Sequence, residues 1–153
     1  MGYAKEINCY KKQEFLDFNA LDLIELLQST SWEVKLGIID RGNDFDWISL
    51  EDNQEGREEF INILKYKIEH NEYIGFSIFN QQVERFVHVS LENINNNLIY
   101  FDLDIGREEN ESEWFEWYYQ NLIIPIEKQK TVFSKIEWET GYECKILKTF
   151  ERN

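Results

Sequence analysis

The 153-residue chain contains one proline and two cysteines, and its seven glycines form no cluster. So little proline and glycine excludes collagen-like and low-complexity classes. Cys9 and Cys144 are too few, and too far apart, to make a disulfide framework. The opening stretch from Met1 to Asn8 has no apolar signal run, and Glu6 stands where a myristoylation motif needs Ser or Thr. No window nears the roughly eighteen apolar residues of a membrane-spanning helix. These absences predict a reduced, cytoplasmic protein with no membrane partner.

Catalytic and metal-binding patterns are missing as well. His70 and His88 stand alone, with no HExxH or CxxC motif beside them. Asp102, Asp104 and Glu109 do not follow the ligand order of an EF-hand loop. No GxSxG elbow, Walker A loop or GxGxxG turn occurs, and no spacing pairs Cys9 or Cys144 with His88 as nucleophile and base. The expectation is a protein that is not an enzyme and uses no cofactor or metal ion.

What is present is a core and a charge. Hydrophobic residues make up 42% of the chain and aromatic residues 16%, which excludes a disordered acidic tail. A chain of this length buries roughly 68–70% of its unfolded surface, so no covalent staple is needed. The formal net charge is -14 and the pI is near 4.5. Such a field repels a phosphate backbone, so direct nucleic-acid binding is disfavoured. It favours the approach of a basic protein.

Apolar periodicity predicts three helices. Leu16, Ala20, Leu23, Ile24 and Leu27 form one stripe over residues 12–28. Phe60, Leu64 and Ile68 do the same over 55–69. Trp114, Tyr118 and Leu122 form a core-facing row in a third helix from Ser112, which Pro125 ends or kinks. Extended runs fall at 32–40 and 45–50, with Arg41-Gly42-Asn43-Asp44 as the turn between them. Runs at 73–79, 83–92 and 98–104 predict an antiparallel meander, and 131–139 with 142–150 a hairpin around Thr140-Gly141. The order α-β-β-α-β-β-β-α-β-β, with about seven strands and three helices, predicts one α+β domain over 1–153 with a mainly antiparallel sheet.

The acids are concentrated. Residues 40–59 carry eight acids against two arginines, and residues 102–117 carry seven acids against Arg107, so each run has a net charge of -6. Acids in the first turn of a helix favour its dipole, and a solvated acidic face is the plain reading of the remainder. The alternative is a surface for a basic partner, with Asp44, Asp46, Asp102, Asp104, Glu108, Glu109, Glu111 and Glu113 as its candidate residues.

The arrangement from Glu59-Phe60-Ile61 through Tyr73-Ile74-Gly75-Phe76-Ser77-Ile78-Phe79 to Leu98-Ile99-Tyr100-Phe101 is similar to the helix and β-meander of some immunity proteins of bacterial polymorphic-toxin and contact-dependent inhibition systems. The resemblance covers about half the chain, lacks a diagnostic motif and transfers no functional residue. It implies an inhibitor that occludes the active site of a cognate toxin, often a nuclease. Two other readings stay open: a small-molecule-binding domain or enzyme with a dispersed site, and an acidic mimic of nucleic acid.

Overall fold

The computed structural model of the protein describes residues 5–38, 47–50, 54–91, 97–141 and 145–152. Its strands are β1 (Lys5–Lys11), β2 (Trp32–Ile38), β3 (Trp47–Ser49), β4 (Ile74–Asn80), β5 (Arg85–Leu91), β6 (Leu98–Leu103), β7 (Phe133–Thr140) and β8 (Lys145–Glu151). They form one sheet in the order β3-β2-β4-β5-β6-β1-β7-β8, every neighbouring pair antiparallel. The α+β class, the β4-β5-β6 meander and the β7-β8 hairpin are those the sequence pattern predicts. The sheet also takes in an N-terminal strand, β1, placed between the meander and the hairpin.

Helix α1 (Ala20–Leu27) is shorter than its apolar stripe. The Asn19 side chain accepts from the N–H groups of Leu21 and Asp22, while Asp22 accepts from the Asn19 N–H at 2.9 Å. This capping box fixes the helix start. Before it lies a short 3₁₀ turn (Gln13–Phe15), and the Lys11 ammonium donates to the carbonyls of Leu16 and Phe18 at 3.0 and 2.9 Å. Leu16 therefore belongs to a tethered turn, and the expected helix over 12–28 is corrected to 20–27.

Helix α2 (Gln54–Glu69) matches its prediction closely. Helix α3 (Glu111–Tyr118) runs on through a π-helical segment (Tyr119–Ile123) into α4 (Ile124–Gln129), so Pro125 does not end the helix. Proline lies in the first turn of α4, where its missing N–H is tolerated. The carbonyl four residues earlier, on Asn121, accepts from the indole N–H of Trp32 at 2.9 Å. Tyr118 and Leu122 are fully buried as expected, whereas Trp114 is only partly buried.

The helices share one face for a topological reason. β3 to β4, β6 to β7 and β1 to β2 each join parallel strands of the same sheet through helices. Right-handed crossovers in these three connections all fall on the same side. The packing agrees: Phe60 of α2 meets Phe76 of β4 at 6.4 Å, and Phe115 of α3 stacks on Trp138 of β7 at 5.5 Å. Between the layers lie Ile7 and Cys9 of β1, Val87 and Val89 of β5 and Phe101 of β6, all completely buried. Burial pushes the Cys9 thiol well above its usual pKa, which keeps it protonated and unreactive.

Gly37 of β2 shows how closely the layers approach. A Cβ at this position would overlap the buried Phe60 ring. Gly37→Ala is therefore expected to lower stability by about 1–3 kcal/mol, as overpacked cores do. In urea unfolding the Gly37→Ala/Phe60→Leu double variant should lose less than the sum of the single losses, since the smaller side chain makes room. Additive losses would place the strain elsewhere.

Candidate partner-binding surface

Residues 104–110 join β6 to α3, and one cation from another strand organises them. Arg85 shares the helix-side parity of Val87 and Val89 on β5 and projects under this loop. Its guanidinium donates to the Asp104 carbonyl at 2.6 Å and to both carboxylate oxygens of Glu109. It also lies 3.5 Å from the ring centroid of Trp114. The Gly106 N–H donates to Glu109 at 2.7 Å, and the Tyr118 hydroxyl donates to the Asp104 carbonyl at 2.9 Å. Asn110 then caps α3 by accepting from the Glu113 N–H. The loop is thus tied down by a bidentate, stacked arginine, a geometry that lysine cannot reproduce.

This clamp divides the acidic run. Glu109 is neutralised by Arg85, and Glu111 faces the Lys5 ammonium at 3.8 Å. Asp104, Glu108 and Glu113 are exposed. Asp102 points away from the helices, because Phe101 and Leu103 on either side of it face them. Asp44 and Asp46 lie outside the described residues. One contiguous charge run in sequence therefore becomes a pinned pair, an exposed rim and a residue on the opposite sheet face.

Asp102 has company that the sequence reading missed. Strand register aligns Ser77, His88, Asp102, Glu6 and Glu139 in one row across β4, β5, β6, β1 and β7. Burial raises the Asp102 pKa more than His88 and a hydrogen bond from the Glu6 carboxyl lower it. Burial likewise holds His88 below its ordinary 6.5, against the opposing pull of Asp102. The alternation of Lys135, Glu137 and Glu139 with Ile136 and Trp138 in β7 was the available signal. Its value depended on β1, whose pairing no local pattern announces.

Ser77, His88 and Asp102 do not form a nucleophilic triad. The Ser77 and Tyr73 hydroxyls each lie 3.5 Å from a different nitrogen of the imidazole, and Tyr73 is closer to Ser90, at 2.9 Å. These contacts of the two ring nitrogens run to hydroxyls, whereas a triad sets a carboxylate on one nitrogen and the nucleophile on the other. Among the described residues no three His, Cys, Asp or Glu side chains gather to hold a metal ion. Among the described residues, too, no helix is long and apolar enough to cross a membrane.

The Arg85 guanidinium, and after it the Gly106 N–H, hold the Glu109 carboxyl down at about 2. A depressed carboxylate pKa adds stability above the ordinary value of 4.5, and that contribution is lost as pH falls from there toward about 2. A carboxyl-carbon NMR titration should place the Glu109 midpoint at about 2, and Arg85→Met should return it toward 4.5. A midpoint near 4.5 in the parent protein would mean that the clamp does not form.

No protein-family model, curated protein or solved structure matches the chain, so its functional reading rests on this surface.

Proposed function

We propose that the protein is an inhibitory binding partner of a basic protein, most simply an immunity protein that occludes the active site of a cognate toxin such as a nuclease. One observation carries this reading. The exposed acids of the clamped loop follow directly on β6, whose Asp102 belongs to the carboxylate row of the sheet, and at the same end Lys5 of β1 contacts Glu111 at the start of α3 from the helix side. A nuclease is basic where it holds phosphate, so a preformed acidic surface is steered toward that site. Because Arg85 fixes the loop before the partner arrives, less conformational entropy is lost on docking.

A cleft supports a second reading, that of a small-molecule-binding domain. It measures about 680 Å³ and lies between α1, α2 and the start of β2, with Leu27, Trp32, Leu50 and Phe60 among its apolar walls and Arg57 and Gln28 among its polar groups. Its size is within the range of ligand pockets. Unlike the acidic surface, it does not draw on the charge that dominates the sequence. Ligand-observed NMR with a library of apolar acids separates the two readings, since binding lost in Leu27→Trp would favour the cleft.

The partner reading is tested by capture from the native host's lysate, identification, and stopped-flow mixing with the purified partner. One equivalent of the protein should abolish the partner's activity. The Asp104→Asn/Glu108→Gln/Glu113→Gln variant should fold normally, since exposed charges contribute little to stability. Its association should slow by roughly tenfold or more at low salt, with a smaller change in dissociation, as expected for rim charges. Equal association rates for parent and variant across a range of salt would refute a role for this rim.

A further inference from the structure

Asn8 lies at the middle of β1, opposite Tyr100 of β6 on one side and Glu137 of β7 on the other. It alternates with the core residues Ile7 and Cys9, so it shares the helix-free face with Glu6 and Tyr10. On an open sheet face a polar side chain normally reaches water. Asn8 is instead 4% exposed, and its Oδ1 is buried with no hydrogen-bond donor from the described residues. An unsatisfied buried acceptor in a central strand calls for an explanation.

Its surroundings consist mainly of acceptors. The Tyr10 hydroxyl is hydrogen-bonded to Glu137, and burial, then that carboxylate, then Tyr100 and Glu139, push the phenol to about 12. Glu6 and Asp102 share a hydrogen bond two residues along the strand. Lys135 brings a cation: its ammonium lies 4.3 Å from the Tyr10 ring centroid and 3.9 Å from Glu137, with a third of its side chain exposed. Glu137, the Tyr10 and Tyr100 rings and the orphan amide oxygen therefore share one stretch of the sheet face, with Glu6, Asp102 and Glu139 two residues along it and the Lys135 ammonium at its rim.

We propose that this spot, floored by Asn8 and walled by Tyr10, Tyr100 and Glu137, receives an arginine side chain of the basic partner. The proposal rests on the partner reading above and assigns it a point of insertion. A guanidinium suits the site in three ways: it has N–H groups to spare for Asn8 Oδ1, it pairs bidentately with a carboxylate, and its flat face stacks on a phenol ring. Lys135 and the Tyr10 ring are both partly exposed, and swinging them outward opens the way. A metal ion is the weaker occupant, because among the described residues no three carboxylate, imidazole or thiolate groups are placed to ligate one.

The test uses the full chain, N-acetylarginine amide as probe, and the lysine analogue at matched ionic strength. Arginine amide should produce saturable NMR shifts at the Asn8 side-chain amide and the Tyr10 and Tyr100 rings, with several-fold weaker binding of the lysine analogue. Asn8→Val should abolish the shifts at the tyrosines and melt no lower than the parent, because it removes an acceptor that has no partner. Glu137→Gln, which leaves the strand's core side untouched, should weaken binding and provides the same readout if Asn8→Val misfolds. Shifts that grow linearly, are equal for the two cations or persist in both variants would overturn the proposal. This titration needs no partner, so a flat result beside salt-steered partner binding rejects the insertion point alone. Saturable arginine binding by a protein that captures no basic partner would instead support the site and reject the partner reading.

Discussion

Strand β1 is the joint on which the molecule depends. It hydrogen-bonds along both edges, to β6 and to β7, and among the described residues no other strand links the five-stranded part of the sheet to the β7-β8 hairpin. Its helix-facing side places Ile7 between Phe101 and Trp138, and Cys9 between Ile99 and Ile136. Its two lysines tie the sheet to the helical layer: Lys5 faces Glu111 at the start of α3, and Lys11 holds the turn before α1. Its other side supplies Glu6, Asn8 and Tyr10 to the acidic face. Seven residues thus set both the continuity of the core and the chemistry of the surface. The pairing is strongly non-local, joining Lys5 to Thr140, and such contacts form only after a large loop-closure entropy has been overcome.

Much of this architecture was legible because its signals are local. Ile99, Phe101 and Leu103 alternate with Tyr100 and Asp102, and β6 runs where that alternation places it. The four-residue spacing of Phe60, Leu64 and Ile68 likewise marks α2. β1 was not legible because lysines occupy both ends of its buried side, so Lys5-Ile7-Cys9-Lys11 does not read as an apolar face. Those lysines are buried because the Glu111 carboxylate receives Lys5 and the Leu16 and Phe18 carbonyls receive Lys11, and the alternation of a strand shows neither kind of partner. At Pro125 the sequence signal was real, yet its expected effect was absorbed by a π-helical segment and a tryptophan from β2.

The candidate surface was legible as a charge and not as a site. A run of seven acids has the same sum whether its members are paired or free, and Arg85, twenty-four residues before Glu109, decides which are paired. The carboxylate row is still less visible in sequence, because Asp102, Glu6 and Glu139 become neighbours only through strand register. Composition predicts the sign of the field reliably. Its shape is a property of the sheet.

Cys9 carries a practical consequence of this design. Its thiol lies at the centre of the strand that holds the sheet together, sealed from solvent and held in its protonated form. An alkylating reagent reaches it only when β1 parts from its neighbours, so the native protein contains its own clock for that opening. Timed by mass spectrometry of the peptide that contains it, Cys9 labelling under native conditions counts the rare excursions in which the middle of the sheet comes undone.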